Sequence, residues 1–492
     1  MLGYYFLKNK NAVSAKIWLT GFSLWFYGYF NIRYLCIMIF SILLNYGAYQ
    51  MMMRVDSERD GADAVSDATG MSAHKWNHKK CILFTGVGAN LLLLFYFKYF
   101  DFFIENINAV FGSSIALRNI VLPLGISFFT FQQISFLADT YRGELKNCNF
   151  VDYALFVSFF PQLIAGPIVT HDEMLPQFEQ ISKKKFDEDA FCRGLFIFVL
   201  GMGKKVLIAD TFGAAVDAGY GMVDTLGSVD AVLVMLFYTL QLYFDFSGYC
   251  DMAIGIGKML GIEIALNFFS PYKACNIIDF WKRWHITLSR FFTKNIYIPL
   301  GGNRKGAARM YRNLFLVFFL SGVWHGAGWN YILWGVMHGV LYCVTRWMQK
   351  RYANRIATPF FHACKVFATF VYVNAAWVFF RSTSISQAFT LFKRMFTGGI
   401  ALPVEAIYDA FNLDEFWYVL KVLHLTDYPF SNYLLMVMFT LVILIVTFFG
   451  KNVHELAAKW KMSAVSAIVV AGVFVWCVVS LSGVSTFLYF NF

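Results

Sequence analysis

The chain has 492 residues, of which 59% are hydrophobic, 20% aromatic and only 14% charged, and it carries a net charge of +11. Soluble domains carry about a quarter charged residues, so the composition excludes an ordinary soluble protein, and no nucleic-acid partner is expected. Apolar runs of membrane-spanning length recur throughout, which predicts an all-α polytopic membrane protein organised as one domain over residues 1–492.

The first residues lack the charged start, apolar core and cleavage site of a signal peptide. Residues 17–30 form a run short for a span, and 34–53 and 81–99 form full ones. Between them, 54–80 mixes Asp, Ser and Gly with basic residues and is expected to be a flexible polar loop. Pro123 and Gly125 interrupt the run at 121–139, and Pro161 and Gly166-Pro167 interrupt the run at 150–169. Such breaks are tolerated in lipid only where protein or water satisfies the freed backbone, so a lined cavity is expected there. Runs at 191–209, 231–246 and 249–266 follow, the last studded with glycine, and Gly248 is expected to unwind the backbone beside Asp245 and Asp251. The expected role of those carboxylates is buried pairing with the Lys/Arg excess, with a cavity lining as the alternative.

On a helix, Trp281, Trp284, Leu288 and Phe291 share one apolar face, and Lys282, His285 and Ser289 form a neighbouring stripe. This predicts a basic amphipathic helix over 279–292 at the membrane interface. Between Phe280 and Val404 there is no Asp or Glu but sixteen Lys or Arg, eight of them between Lys282 and Arg312. That charge marks a cytoplasmic loop and suits an anionic partner, with Lys282, Arg283, Arg304 and Lys305 as candidate contacts.

The run 314–324 then leads to Leu320-Ser-Gly-Val-Trp-His-Gly-Ala-Gly328, and 329–345 returns to Arg346. Eleven residues of helix reach roughly 17 Å, against about 30 Å of hydrocarbon. The arm therefore should not cross, and His325 should sit near mid-depth. Residues 362–380, 434–449 and 464–481 complete the spans, and five acids against Lys421 place 398–430 outside. The C-terminus is then extracytoplasmic. His325 is either a packed histidine at a helix tip or a general base for a hydroxyl attacking an acyl group. His285 could line a cavity mouth or sit among headgroups, and His338 reads as packing. His171, His362, His424 and His454 carry no signal. The nine cysteines are scattered singly, mostly in apolar runs, and read as free. No metal cluster, Walker motif or dinucleotide fingerprint is present. Intramembrane histidines would also suit a proton-coupled transporter, though no inverted repeat is visible.

Several stretches, taken in order, resemble the membrane-bound O-acyltransferases. They are Leu163-Ile-Ala-Gly-Pro167, Phe244-Asp-Phe-Ser-Gly-Tyr249, Phe280-Trp-Lys-Arg-Trp-His285-Ile-Thr-Leu-Ser289, Tyr297-Ile-Pro-Leu-Gly-Gly302-Asn-Arg304 and Ser321-Gly-Val-Trp-His-Gly326. The likeness is closest to the bacterial alginate O-acetyltransferase-like branch and covers about residues 41–377 plus the tail. It implies a bundle of about 11–13 helices with re-entrant segments around a central tunnel, with core motifs at about 120–380 and a relay tail at 482–492. His325 matches the family's essential histidine and His285 the second polar position of the tunnel. Asp245, Ser289, Trp324 and His338 become candidate tunnel or structural positions. The resemblance also implies a cytosolic thioester donor, acetyl-CoA or an acyl carrier protein, and no bound cofactor. The tail Phe487-Leu-Tyr489-Phe-Asn-Phe492 matches a pattern whose tyrosine accepts the acyl group. A separate extracytoplasmic O-acetyltransferase would then modify a polysaccharide, from a protein set in the lipid of a bacterial inner membrane. D-alanyl transfer to teichoic acid is the alternative within the family.

Overall fold

In the computed structural model the apolar runs are helices, as a lipid environment with no hydrogen-bonding solvent requires. The structure describes residues 1–63, 71–145, 147–351, 358–412, 417–424, 428, 430–483 and 488. Among these no β-strand occurs, and the protein is all-α. Among the described residues, five helical segments are long and apolar enough to cross a membrane: Ile32–Ser57, His78–Phe111, Ser228–Met259, Pro359–Arg381 and Ser431–Phe449. All nine cysteines are free.

The chain divides into two compact units, Met1–Phe191 with Gly257–Ala265, and Cys192–Ile256 with Leu266–Phe492. In the first, helices Ile32–Asp63 and Met71–Leu94 take in most of the stretch expected to be a polar loop, whose residues 64–70 lie outside those described. These two helices exchange amide hydrogen bonds, Asn90 Nδ2 donating to Asn45 Oδ1 at 2.6 Å and Asn45 Nδ2 to Asn90 Oδ1 at 3.3 Å. The expected break at Gly125 is real: the helix Ile126–Tyr141 starts after it, with Gly125 at φ 69°. A Cβ there would lie 2.5 Å from the Leu163 carbonyl. The second break is satisfied from helix Ala12–Phe30, whose Ser23 Oγ accepts the Phe160 N–H at 3.2 Å. Lys16 pairs with Asp152 at 2.7 Å, and Asp139 meets both Arg142 at 2.9 Å and His171 at 3.1 Å.

The second unit departs from expectation at two places. Residues 231–266 do not form two segments: one helix, Ser228–Met259, runs through Gly248 without unwinding. Glycine here serves close packing, since a Cβ on Gly248 would lie 2.8 Å from the Gly201 carbonyl of helix Glu188–Gly203. Residues 279–292 are not one amphipathic helix but two short ones, Ile277–Arg283 and Ile286–Phe292. The hairpin is present as helices Ala307–His325 and Trp329–Arg351. Its first arm begins earlier than the apolar run, because Ala307, Ala308 and Met310 are good helix formers. Asn313 fixes this start, its Nδ2 donating to the carbonyls of Leu300 and Gly302, both at 3.3 Å. The arms meet through Gly322 and Gly335, where an added Cβ on either would lie 3.0 Å from the other's Cα.

Candidate active site

The turn between the two short helices creates the first half of the site. Asn276 caps Ile277–Arg283 by accepting from the N–H groups of Ile278 and Asp279 at 3.0 and 2.9 Å. The helix ends at Arg283, and His285 takes a left-handed conformation, φ 45° and ψ 53°. Such a conformation is costly for a side chain with a Cβ and persists only where the surroundings impose it. Here the imposing segment is 267–269: Phe269 N–H donates to Arg283 O at 2.9 Å, and Ile286 N–H to Asn267 O at 3.0 Å.

Asn267 also fixes the protons of His285. Its Oδ1 accepts from Thr287 N–H at 3.2 Å and from Thr287 Oγ1 at 2.9 Å. A backbone N–H can only donate, so the atom facing it is the amide oxygen and the orientation of the amide is settled. The same oxygen lies 3.1 Å from His285 Nδ1. The imidazole must therefore carry a proton on Nδ1, and in the neutral ring Nε2 holds the lone pair. Phe246 of the long helix packs edge-on against this ring at 4.9 Å. His285 is fully buried within the protein.

The hairpin supplies the second half. His325 is the last residue of its helix and is 4% exposed. Its ring stands 6.4 Å from that of His285, centroid to centroid. Trp324, Trp334 and Phe380 surround it at 4.8, 5.1 and 5.1 Å. The tip is held by Asn330, whose Nδ2 donates to the Phe379 and Ser382 carbonyls at 3.2 and 2.7 Å. Gly326 is required because a Cβ there would fall 2.2 Å from the Tyr331 ring.

A cavity of about 740 Å³ reaches Ile286 and Ser321, neighbours of the two histidines, although neither imidazole is among its lining. Lys282, Arg290, Lys294 and Arg346 contribute to its lining, and Trp281, Ser289 and Ser321 form part of its wall. Ser321 lies one helical turn before His325. Trp281 donates its indole N–H to His338 Nδ1 at 3.3 Å, and His338 packs on Trp334 at 4.7 Å. Wall and histidines are thus joined by a chain of touching rings.

Of the residues singled out from the sequence, His285, His325, Trp324 and His338 are brought together here, and Lys282 and Ser289 line the cavity. Arg283 is engaged with Asp279 at 2.8 Å. Arg304 and Lys305 are exposed on the turn before the hairpin and are not among the residues lining this cavity. Asp245 is buried, pairs with Lys205 at 2.8 Å and accepts the Leu488 N–H at 3.0 Å. Tyr489, Phe487 and Phe492 lie outside the described residues. Sequence reasoning passed over Asn267, and it placed Arg346 at the end of the return arm without giving it a part in the site. Asn267, a polar residue closing an apolar run, was the available signal for the first.

The membrane-bound O-acyltransferase family model matches residues 68–386. The chain belongs to this family. It is 43% identical to a peptidoglycan O-acetyltransferase of Helicobacter pylori over 426 residues, covering 80% of this chain and 76% of that one. It is 37% identical over 404 residues to the Pseudomonas aeruginosa protein named "probable alginate O-acetylase AlgI", covering 81% of this chain and 72% of that one. A teichoic acid D-alanyltransferase of Bacillus subtilis is 28% identical over 47% of this chain and 61% of its own. The chain is therefore a membrane acyltransferase, which displaces the transporter alternative.

Proposed function

We propose that this acyltransferase moves acetyl from a cytosolic thioester, acetyl-CoA in our reading, across a bacterial inner membrane for O-acetylation of an extracytoplasmic polysaccharide. The observation that carries the reading is the buried imidazole pair, His285 and His325, beside a cavity whose lining includes four cationic side chains. The similarity to proteins named for O-acetylating peptidoglycan and alginate supports acetyl and a polysaccharide. The lower identity to the D-alanyltransferase makes that donor system the weaker reading.

In the proposed chemistry, CoA phosphates or an acidic carrier protein dock on Lys282, Arg290, Lys294 and Arg346, with Arg304 and Lys305 at the surface and Arg283 steadied by Asp279. The acceptor hydroxyl attacks the thioester carbonyl while His325 takes its proton. The C–S bond breaks, and the thiolate leaves as the thiol by recovering that proton. His285, with its lone pair on Nε2, accepts a hydrogen bond from the reacting group and helps to hold it. Tyr489 is the first acceptor, forming an aryl ester, which divides one difficult transfer into two steps. A partner O-acetyltransferase outside the membrane then passes the acetyl to a sugar hydroxyl. The whole chain acts as one acyltransferase domain, with core motifs at 120–380 and the tail at 482–492 on the outer side.

Replacing His325 with Ala and following radiolabelled acetyl into polymer tests the assignment. Loss of a general base lowers the rate by about 10²–10⁴-fold; label reaching polymer at the wild-type rate would remove His325 from catalysis. Intact-mass measurement tests the relay: an acetyl adduct on the wild-type protein should vanish in Tyr489→Phe, and its persistence removes Tyr489 from the path.

A further inference from the structure

One buried ion cluster has no part in the chemistry above. Lys205 lies in a π-helical turn, Lys204–Ala209, that continues helix Glu188–Gly203. Its ammonium meets Asp210 at 2.6 Å and Asp245 at 2.8 Å. Asp245 is 1% exposed on the long helix. A carboxylate so deeply buried needs acceptor capacity filled on both oxygens. Lys205 engages Oδ1, and Oδ2 accepts the backbone N–H of Leu488 at 3.0 Å. Leu488 is 243 residues away in sequence, is itself buried, and immediately precedes Tyr489.

A packing role alone explains this poorly. Lys205 already has a carboxylate in Asp210, so Asp245 is not needed to neutralise it. The atom that Asp245 engages belongs to the main chain of the tail, which fixes the path of the chain whatever its side chains are. Phe246, the next residue, packs edge-on against His285 at 4.9 Å. The same turn of the long helix therefore touches one site histidine and holds the residue beside the tail tyrosine.

The geometry points to Asp245 as a positioning residue that seats the C-terminal tail: its carboxylate, held by Lys205, accepts the Leu488 N–H and so fixes the main chain at 488. As a route for acyl transfer this rests on the relay proposed for Tyr489; as a seat for the tail it does not. A hydrogen bond to a charged acceptor is among the stronger ones, and its loss should be read as a tenfold effect or more.

Two comparisons test it. Leu488→Pro removes the donated N–H and also fixes φ at about −65°, whereas Leu488→Ala keeps the N–H; the labelling experiment below, which leaves the main chain at 488 intact, separates the two effects. The Pro variant should lose about tenfold or more of its acetyl transfer relative to the Ala variant; equal rates overturn the proposal. Independently, Leu488→Cys is reacted with a polar maleimide, with and without Asp245→Leu, and labelling is located by peptide mass spectrometry. Asp245→Leu leaves Lys205 its Asp210 partner, and buried Cys250, five residues along the same helix, reports whether that helix stays intact. Labelling at 488 should accelerate by about tenfold or more while Cys250 stays protected; unchanged labelling at 488 overturns the seat. If labelling accelerates but Tyr489→Phe still transfers acetyl, the relay falls and the seat stands.

Discussion

Asn267→Leu should cripple transfer through His285 alone. In the folded protein one oxygen, Asn267 Oδ1, accepts from His285 Nδ1, Thr287 N–H and Thr287 Oγ1 at 3.1, 3.2 and 2.9 Å. Leucine keeps the volume and the Asn267 main-chain carbonyl that accepts the Ile286 N–H, but removes all three of these bonds. Two consequences separate. Buried donors left without an acceptor cost about 1–3 kcal/mol each, so thermal stability in detergent should fall measurably. The imidazole also loses the partner that holds its proton on Nδ1, so both orientation and tautomer become free. For metal-ligating histidines, loss of the orienting partner costs about 10–100-fold in activity, and a loss of the same order is expected here.

A double-mutant cycle on the initial rate of acetyl transfer distinguishes these effects. If Asn267 works through His285, Asn267→Leu should cost about 10–100-fold in the wild type and almost nothing once His285→Ala is present. Stability should fall in both backgrounds, because Thr287 loses its acceptor in each. An equal loss of rate in both backgrounds would refute the reasoning, and so would a folded Asn267→Leu protein with the wild-type rate.

Gly322→Ala places a Cβ 2.5 Å from the Tyr331 carbonyl and 3.0 Å from the Gly335 Cα, so the arms must separate; overpacking of this kind costs about 1–3 kcal/mol, read as a lowered unfolding temperature. Lys282→Glu with Arg346→Glu reverses two charges lining the cavity and should raise the KM for the donor with a smaller effect on kcat. That increase should shrink at high salt, and a KM unaffected by the reversal would move donor docking elsewhere. Trp281→Phe removes the donor to His338 Nδ1 while keeping the aromatic wall, and should cost about 1 kcal/mol of stability by thermal unfolding.

Much of this architecture is legible in the chain because lipid leaves few choices. Apolar runs of spanning length become helices, one of them begins only after Gly125 where its left-handed φ appears, and the glycines of 320–328 mark a hairpin tip. The histidine of that tip is legible as a buried ionisable group. What periodicity misled on is the stretch 279–292. Its apolar spacing fits one helix well, yet the break at Trp284–His285 is imposed by the backbone of 267–269, which hydrogen-bonds to both sides of it. Local pattern carries no record of a partner outside the segment. Asn267 escaped for the same reason: an asparagine acquires meaning only through the three donors that reach it.

Gly248 shows how a local rule can be read with the wrong sign. Glycine inside a helix usually weakens it, and unwinding beside Asp245 was the natural expectation. In lipid, small residues also let two backbones approach. Gly194 and Gly201 stand seven apart on one helix, and Gly248 and Gly255 stand seven apart on the other. A Cβ on Gly248 would lie 2.8 Å from Gly201 O, and one on Gly255 would lie 2.6 Å from Gly194 O. The equal spacing is an antiparallel contact repeated every two turns. The register it fixes sets Lys204 and Lys205, just past Gly201, against Asp251 and Asp245 on either side of Gly248, at 2.6 and 2.8 Å. A glycine that unwound this helix would have dispersed those carboxylates. By keeping it straight and close, the glycines put Asp245 where it can hold the tail and Phe246 where it can press on His285.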